Sequence, residues 1–165
     1  MKTTADKIFA DWLSLAQQVA QWQQQGEQVV FTNGCFDLLH VGHTDYLEKA
    51  RGLGGKLVVG VNTDDSIRRL KGETRPVVPA SSRVRVMAAL AFVDAVVLFD
   101  EDTPQQLIET IKPNILVKGD DYKLENIVGA AFVLANGGKV LTLPLVEGFS
   151  TSNIINKILK QGYVS

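Results

Sequence analysis

The chain has 165 residues, 45% of them hydrophobic and 21% charged, a composition that predicts a single globular domain. Its net charge of −1 excludes the broad positive field that attracts nucleic acids and anionic membranes. One cysteine excludes an intrachain disulfide and a cysteine zinc cage, and no apolar run approaches the ~18 residues of a spanning helix. The N-terminus also lacks the apolar stretch of a secretory signal. We therefore expect a cytoplasmic protein with neither a nucleic-acid nor a membrane partner.

The first predicted element is an amphipathic helix over residues 5–22, where apolar residues recur at helical spacing. We assign residues 1–26 to this helix and residues 27–165 to the main body of a single-domain protein. β-branched runs then alternate with helical patterns. The predicted strands are QVVFTNG, KLVVGVN, AVVLF, NILVKG and KVLTLPL. The predicted helices are VGHTDYLEKARGLGG, DDSIRRL, SSRVRVMAALAF, TPQQLIETIK, ENIVGAAFVLANGG and SNIINKILKQ.

The predicted strands are continuous apolar runs, which is typical of a parallel sheet covered on both faces. We therefore predict an α/β fold with a doubly wound, Rossmann-like parallel sheet of about five strands and helices on both faces. Ligands bind such sheets beyond the carboxyl ends of the strands, near the point where the strand order reverses. Functional residues are therefore expected in the loops that follow the strands.

Both histidines lie in the first of these loops, FTNGCFDLLHVGH, residues 31–43. If the next helix begins near Val41, His40 is its N-cap and His43 lies in its first turn. Both rings are then beside free backbone N–H groups and the positive end of the helix dipole. This arrangement favours an anion, most of all a phosphate. Gly42 is expected to let a flat ligand approach the backbone closely.

The histidine pair is also compatible with two simpler roles. Residues three apart on a helix are neighbours, so the pair could bind a metal, or one ring could simply cap the helix. The chain has no third histidine, no Walker loop and no GxGxxG after a strand. We therefore favour a nucleotide site of another kind.

Four segments together resemble the cytidylyltransferase-like nucleotidyltransferases. GCFDLLHVGH is similar to the HxGH signature of that family, and EGFSTSNII is similar to its second signature, a Ser/Thr-rich turn that opens the last helix. KGETRPVVPASSRVRVMAAL and ILVKGDDY resemble its lysine loop, arginine helix and fourth-strand loop. The segments come in family order and cover nearly all of residues 28–160.

Within that family, FTNGCFDLLHVGH, RLKGETRPV, ANGGKV and STSNIINKI are most similar to the heptose 1-phosphate adenylyltransferases. These are often the C-terminal half of a bifunctional kinase/adenylyltransferase. The segment KGDDY departs from the usual KGGDY at Asp120, and the glycerol-phosphate enzymes have GDD there. The resemblance implies transfer of AMP from ATP to a heptose 1-phosphate, with Mg²⁺, for lipopolysaccharide core synthesis. It also implies a homodimer and, because this chain has no room for a kinase, a separately encoded heptose kinase.

The resemblance also implies roles for single residues. His40, His43 and Lys71 would be catalytic, with Lys71 in a loop over residues 71–80 that can close. Arg75 or Arg83 would hold the acceptor phosphate or pyrophosphate through a bidentate guanidinium. The implied nucleotide-binding residues are Cys35, Phe36, Gly42, Lys118, Gly119, Asp120, Ser150, Thr151 and Ser152. Asp37 would be a weak protein ligand of Mg²⁺, which phosphate oxygens and water would mainly hold.

Two further functions are open at this stage. The motifs specify the triphosphate rather than the base, so a cytidylyltransferase acting on glycerol phosphate or a related alcohol phosphate is one alternative. The second is a catalytically silent nucleotide-binding module that regulates a partner, which a fold by itself never excludes.

Overall fold

The structure, a computed structural model, describes residues 3–162 as one parallel sheet of six strands with helices on both faces. The strands are β1 (Ile8–Phe9), β2 (Val29–Gly34), β3 (Lys56–Asn62), β4 (Ala95–Phe99), β5 (Ile115–Gly119) and β6 (Lys139–Leu143). The helices are α1 (Trp12–Gln24), α2 (Val41–Gly52), α3 (Asp64–Lys71), α4 (Ala80–Ala89), α5 (Gln105–Ile111), α6 (Ala130–Ala135) and α7 (Thr151–Lys160). The prediction of a doubly wound α/β fold is confirmed, and the sheet has one strand more than expected.

The additional strand, β1, comes from the segment that the periodicity predicted as helix. Instead of one helix over residues 5–22, the chain forms a 3₁₀ turn, then β1, then α1. Ile8 and Phe9 pair in parallel with Val96 and Val97 of β4, so a distant strand overrides the local helical pattern. Helix α1 begins only after Asp11, whose side chain accepts a hydrogen bond from Ser14 N at 2.8 Å.

The core has two layers, one on each face of the sheet. Side chains alternate along a strand, so Val29 and Phe31 of β2 pack with α1, α5 and α6, whereas Val30 packs with α2 and α4. The N-terminal helix belongs to the first layer, where Leu15 and Val19 are fully buried. Residues 1–26 were predicted as an N-terminal helix; within the described part of that segment, residues 3–26, α1 contributes to the same core as the residues that follow.

The strand order, β1-β4-β3-β2-β5-β6, places the site-forming loops. The chain runs outward from β2 through β3 to β4 on one side, and then continues through β5 to β6 on the other side. The order therefore reverses between β2 and β5, and their carboxyl ends open at the same edge of the sheet. Across residues 3–162, no helix has the length and apolar character needed to span a membrane.

Candidate active site

A cavity of about 610 Å³ lies at this edge of the sheet. Most of the predicted site residues line it: Cys35, Phe36, Asp37, His40, Gly42, His43, Lys71, Arg75, Lys118, Gly119, Ser150, Thr151 and Ser152. They come from segments as distant in sequence as residues 35 and 152. The sheet topology thus brings together the segments that carry the family resemblance.

The two histidines stand at the N-terminus of α2, which begins at Val41 as predicted. His40 is the N-cap, and its Nδ1 accepts a hydrogen bond from Gly42 N at 3.1 Å. His43 Nδ1 accepts a longer one from His40 N, at 3.4 Å, and the ring centroids are 3.9 Å apart. A neutral imidazole whose Nδ1 accepts carries its proton on Nε2. Both rings therefore cap the helix and keep an Nε2–H donor.

Burial keeps both imidazoles uncharged at neutral pH. It lowers the pKa of His43 to about 4, with smaller contributions from the nearby His40 and Lys71. Burial also lowers the pKa of His40. The rings are therefore neutral hydrogen-bond donors, and the positive charge on this side of the cavity comes from Lys71.

Gly42 is needed for a different reason from the one we expected. A Cβ atom there would lie 2.9 Å from His40 Nδ1 and 3.5 Å from Phe149 Cβ. The space above Gly42 is thus filled by the capping ring. Phe36 supports the second ring: it is 6% exposed, and its own ring meets His43 edge-on at a centroid distance of 5.5 Å.

A second helix N-terminus, that of α7, opens into the same cavity. Ser150 is its N-cap and accepts a hydrogen bond from Asn153 N at 3.0 Å. The Thr151 hydroxyl donates to Leu38 O at 3.0 Å, which ties α7 to the loop before α2. Lys71 is the exposed last residue of α3 and not, as predicted, part of the loop. Two helix N-termini and a lysine make this part of the cavity favourable for an anion.

Asp37 accepts hydrogen bonds from several protein groups. Its buried carboxylate accepts hydrogen bonds from Arg75 Nε and Val77 N at 2.9 Å, and from Val78 N at 2.8 Å. Burial by itself raises the pKa of Asp37, but the two N–H groups and Arg75 outweigh it, so the pKa is lowered. Among residues 3–162, no three His, Cys, Asp or Glu side chains are grouped to hold a metal. We therefore propose that Asp37 fixes the segment around Arg75.

Arg83 and Asp120 also differ from the prediction, because neither lines the cavity. The Arg83 guanidinium is fully buried and donates to Val78 O, Cys35 O, Asn62 O and Asp64 Oδ1 at 2.7–2.9 Å. These bonds hold the ends of β2 and β3 together, so we reassign Arg83 to a structural role. Asp120 is exposed, and its neighbour Asp121 lines the cavity instead.

Sequence reasoning missed several residues that line the cavity. Asn33 and Asn62 were not singled out, although their position at the carboxyl end of a strand was a signal. Tyr46, on α2, was also missed. An apolar portion comes from the segment before α7: Leu145, Val146 and Phe149. Lys118, near the end of β5, also lines the cavity. Its pKa is lowered to about 8 by burial, although Asp121 acts in the opposite direction.

The cavity and its two helix N-termini define a class of protein. It is an α/β domain that binds a phosphate-bearing ligand at its switch point, the place between β2 and β5 where the strand order reverses. The comparison with known families is more specific. Residues 31–157 match the cytidylyltransferase-like family. The chain belongs to that family, as the four sequence segments predicted.

Two curated relatives show how similar the chain is to members of the family. It is 55% identical to Bifunctional protein HldE of Magnetococcus marinus over 157 residues, which is 95% of this chain and 32% of the relative. It is 59% identical to the protein of the same name from Citrifermentans bemidjiense over 145 residues, 88% of this chain and 30% of the relative. The chain thus spans about a third of the length of these relatives. Both are bifunctional proteins, so they do not support the expected separately encoded kinase.

A solved structure also resembles this one. The lipopolysaccharide core biosynthesis protein from Thermoplasma volcanium GSS1 matches with a TM-score of 0.60 and 30% identity. The match covers 73% of this chain and 98% of that protein.

Proposed function

We propose that this chain transfers AMP from ATP to a heptose 1-phosphate, giving ADP-heptose and pyrophosphate for lipopolysaccharide core synthesis. The observation that carries the proposal is the convergence of two neutral imidazoles, Lys71 and the α7 N-terminus on one cavity. The heptose acceptor is supported by the 55% and 59% identity to Bifunctional protein HldE and by the name of the Thermoplasma protein. The match to about a third of a bifunctional protein also fits the resemblance, since the heptose enzymes are often one half of such a chain.

In the proposed reaction, an oxygen of the acceptor phosphate attacks the α-phosphorus of ATP. The bond from that phosphorus to the bridging oxygen breaks, and its electron pair leaves with pyrophosphate. A phosphomonoester has a second pKa of about 6, so the nucleophile is already ionised at neutral pH and needs no strong base. The difficulty is the repulsion between two polyanions, which positioning and charge neutralisation overcome.

The described geometry supplies both the positioning and the charge neutralisation. The Nε2–H groups of His40 and His43 would donate to the triphosphate, and to the bridging oxygen as its charge grows. Lys71 would neutralise charge on the α- or β-phosphate, and the α7 N-terminus would hold the terminal phosphates. Arg75 is the remaining arginine candidate for the acceptor phosphate. Its bond to Asp37 fixes the plane of the guanidinium at the cavity wall.

Mg²⁺ enters this proposal as part of the substrate, MgATP. The described residues form no cluster that could cage it, and both oxygens of Asp37 already accept N–H groups. We therefore propose that phosphate oxygens and water hold the ion. The homodimer and the cytoplasmic location remain predictions.

The test is pyrophosphate release by the purified chain with four combinations of substrates. ATP with heptose 1-phosphate is expected to release pyrophosphate, whereas ATP alone, CTP with heptose 1-phosphate and CTP with glycerol phosphate are expected to be much slower. Release with CTP and glycerol phosphate would instead favour the cytidylyltransferase alternative. Nucleotide binding without turnover of any acceptor would favour the silent regulatory module.

A further inference from the structure

One buried polar atom on the cavity wall has no partner. Asn33 Oδ1 is, within the described part of the chain, the buried side-chain nitrogen or oxygen without a hydrogen bond. An unpaired buried acceptor disfavours the folded state, so native proteins satisfy nearly all of these groups. At the wall of a ligand cavity, such an atom is available to a hydrogen-bond donor of a bound ligand.

Asn33 lies at the switch point of the sheet. It is the next-to-last residue of β2 and pairs with Gly60 of β3. On the other side, Phe31 pairs with Leu116 of β5, and this register places Asn33 beside Lys118. Lys118 Nζ is 3.5 Å from the Asn33 backbone oxygen, a long contact for an ammonium group. The unpaired acceptor Asn33 Oδ1 and the weakly bound ammonium group of Lys118 are therefore on residues that lie side by side on neighbouring strands.

The polar side chains around this pair already have partners. The Thr32 hydroxyl bonds to the Tyr46 hydroxyl at 2.8 Å. The amide nitrogen of Asn62 donates to Ser66 Oγ at 3.0 Å, and its oxygen faces Cys35 Sγ at 3.9 Å. Asn33 Oδ1 is thus distinguished from its neighbours, because it accepts no hydrogen bond from the described residues.

The chemistry of the pair selects among the parts of the two substrates. A hydroxyl both donates and accepts, so one hydroxyl of the acceptor sugar, or of the ATP ribose, satisfies the Asn33 oxygen and the Lys118 ammonium together. An ionised phosphate oxygen has no proton to give to Asn33. A nucleobase presents flat apolar faces, which suit the portion of the cavity lined by Leu145, Val146 and Phe149.

We propose that Asn33 Oδ1 accepts a hydrogen bond from a hydroxyl of the acceptor sugar, and that Lys118 donates to the same hydroxyl. Asn33 is then a specificity-determining residue for a polyhydroxylated acceptor. This inference rests on the proposed function, because it takes the acceptor to be a sugar phosphate. It assigns the strand-end portion of the cavity to the sugar and leaves the histidine portion to the triphosphate.

The test replaces Asn33 with a side chain of similar size that cannot accept a hydrogen bond. In Asn33→Leu, kcat/KM for heptose 1-phosphate is expected to fall about 10- to 100-fold, with little change in KM for ATP. Its Tm is expected to equal or exceed that of the wild type, because no protein hydrogen bond is lost. Asn33→Asp keeps an acceptor oxygen and is expected to retain more activity than Asn33→Leu.

Asn114→Leu is the matched control. Asn114 Oδ1 accepts hydrogen bonds from Val29 N at 2.9 Å and from Gln23 Nε2 at 3.0 Å. This asparagine is structural and lies outside the cavity lining. Its replacement is therefore expected to lower Tm and to leave KM for both substrates unchanged in the folded protein.

Acceptors that lack single hydroxyls complete the test. With the wild type, one deoxy analogue is expected to react about 10- to 100-fold more slowly than heptose 1-phosphate. With Asn33→Leu, the same analogue is expected to react as fast as heptose 1-phosphate. A rise in KM for ATP alone would place Asn33 at the nucleotide instead. A fall in Tm with activity that follows the folded fraction would make it structural. If the wild type binds ATP but no sugar phosphate drives pyrophosphate release, the proposed function fails and the inference fails with it.

Discussion

The rings of His40 and His43 lie 3.9 Å apart, and each Nδ1 atom accepts a backbone N–H at the start of α2: His40 from Gly42, and His43 from the N-cap residue His40. The pair thus caps a helix and also presents two Nε2–H donors to the cavity. The structural and the functional roles of these histidines, between which the sequence did not decide, are compatible with each other.

We expect His43→Ala to lower kcat about 10²- to 10³-fold, by analogy with the loss of one oxyanion donor. Tm should change little, because the bond from His40 N to His43 Nδ1 is long, at 3.4 Å. Pyrophosphate release and thermal unfolding measure the two effects. Arg85→Ala, an exposed change outside the cavity lining, is the control. Activity that merely follows the folded fraction would make His43 a structural residue.

The two roles of His40 can be separated by substitution. His40→Ala removes the cap, so it should cost about 0.5–2 kcal/mol of stability as well as activity. Asparagine is among the best N-caps, so His40→Asn should keep the stability of the wild type and still lose the Nε2–H donor. Denaturant unfolding and kcat measured on both variants test this. Full activity in His40→Asn would show that capping is the only role of the ring.

His43 should make stability depend on pH. The unfolded side chain has an ordinary pKa of 6.5 and the folded one a pKa of about 4, so between these values only the unfolded state takes up a proton. Stability is therefore complete above pH 6.5 and is lost as the pH falls towards 4. We expect a loss of about 1–3 kcal/mol, reduced from the full value because the ring is partly exposed. Urea unfolding from pH 4 to 7 should show a smaller slope for His43→Gln. Equal slopes would contradict the lowered pKa.

Lys118 should set an alkaline limit on activity. Burial lowers its pKa to about 8, so the ammonium group loses its proton as the pH rises through that value. The profile of kcat/KM for the acceptor reports groups of the free enzyme and should fall above about pH 8. Arginine stays charged, so Lys118→Arg should remove this decline even if its maximum rate is lower. The same decline in both proteins would assign it to another group.

Asp37→Asn should destabilise the fold without changing the Mg²⁺ requirement. The side chains of Asp37 and Arg75 are 0% and 11% exposed, so the change leaves a largely buried guanidinium without its charged partner, at a cost of about 3–5 kcal/mol. Asp45→Asn, in the exposed pair with Lys49, should cost less than about 1 kcal/mol. Urea unfolding compares the two variants. A rise in the Mg²⁺ concentration needed for half-maximal activity of folded Asp37→Asn would instead make Asp37 a metal ligand.

The sequence by itself determined the features that short stretches encode. Continuous apolar strands indicated the parallel sheet, the position of Val41 placed the histidines at a helix start, and a Ser/Thr turn marked the start of α7. Hydrophobic period, capping and turn chemistry depend on neighbours within a few residues, so they can be identified without knowing the fold.

Only the tertiary structure decided which side chains have partners within the protein. The sequence does not show that β1 pairs with β4, that Asp37 meets Arg75, or that Arg83 is buried against Asp64. The sequence of a motif does not distinguish an arginine that binds a substrate from one that binds another side chain. Asn33 shows the opposite situation: its side-chain oxygen has no partner, and this becomes evident only when every neighbouring group has been placed. These contacts join residues that are distant along the chain, and the packing of the sheet brings them together.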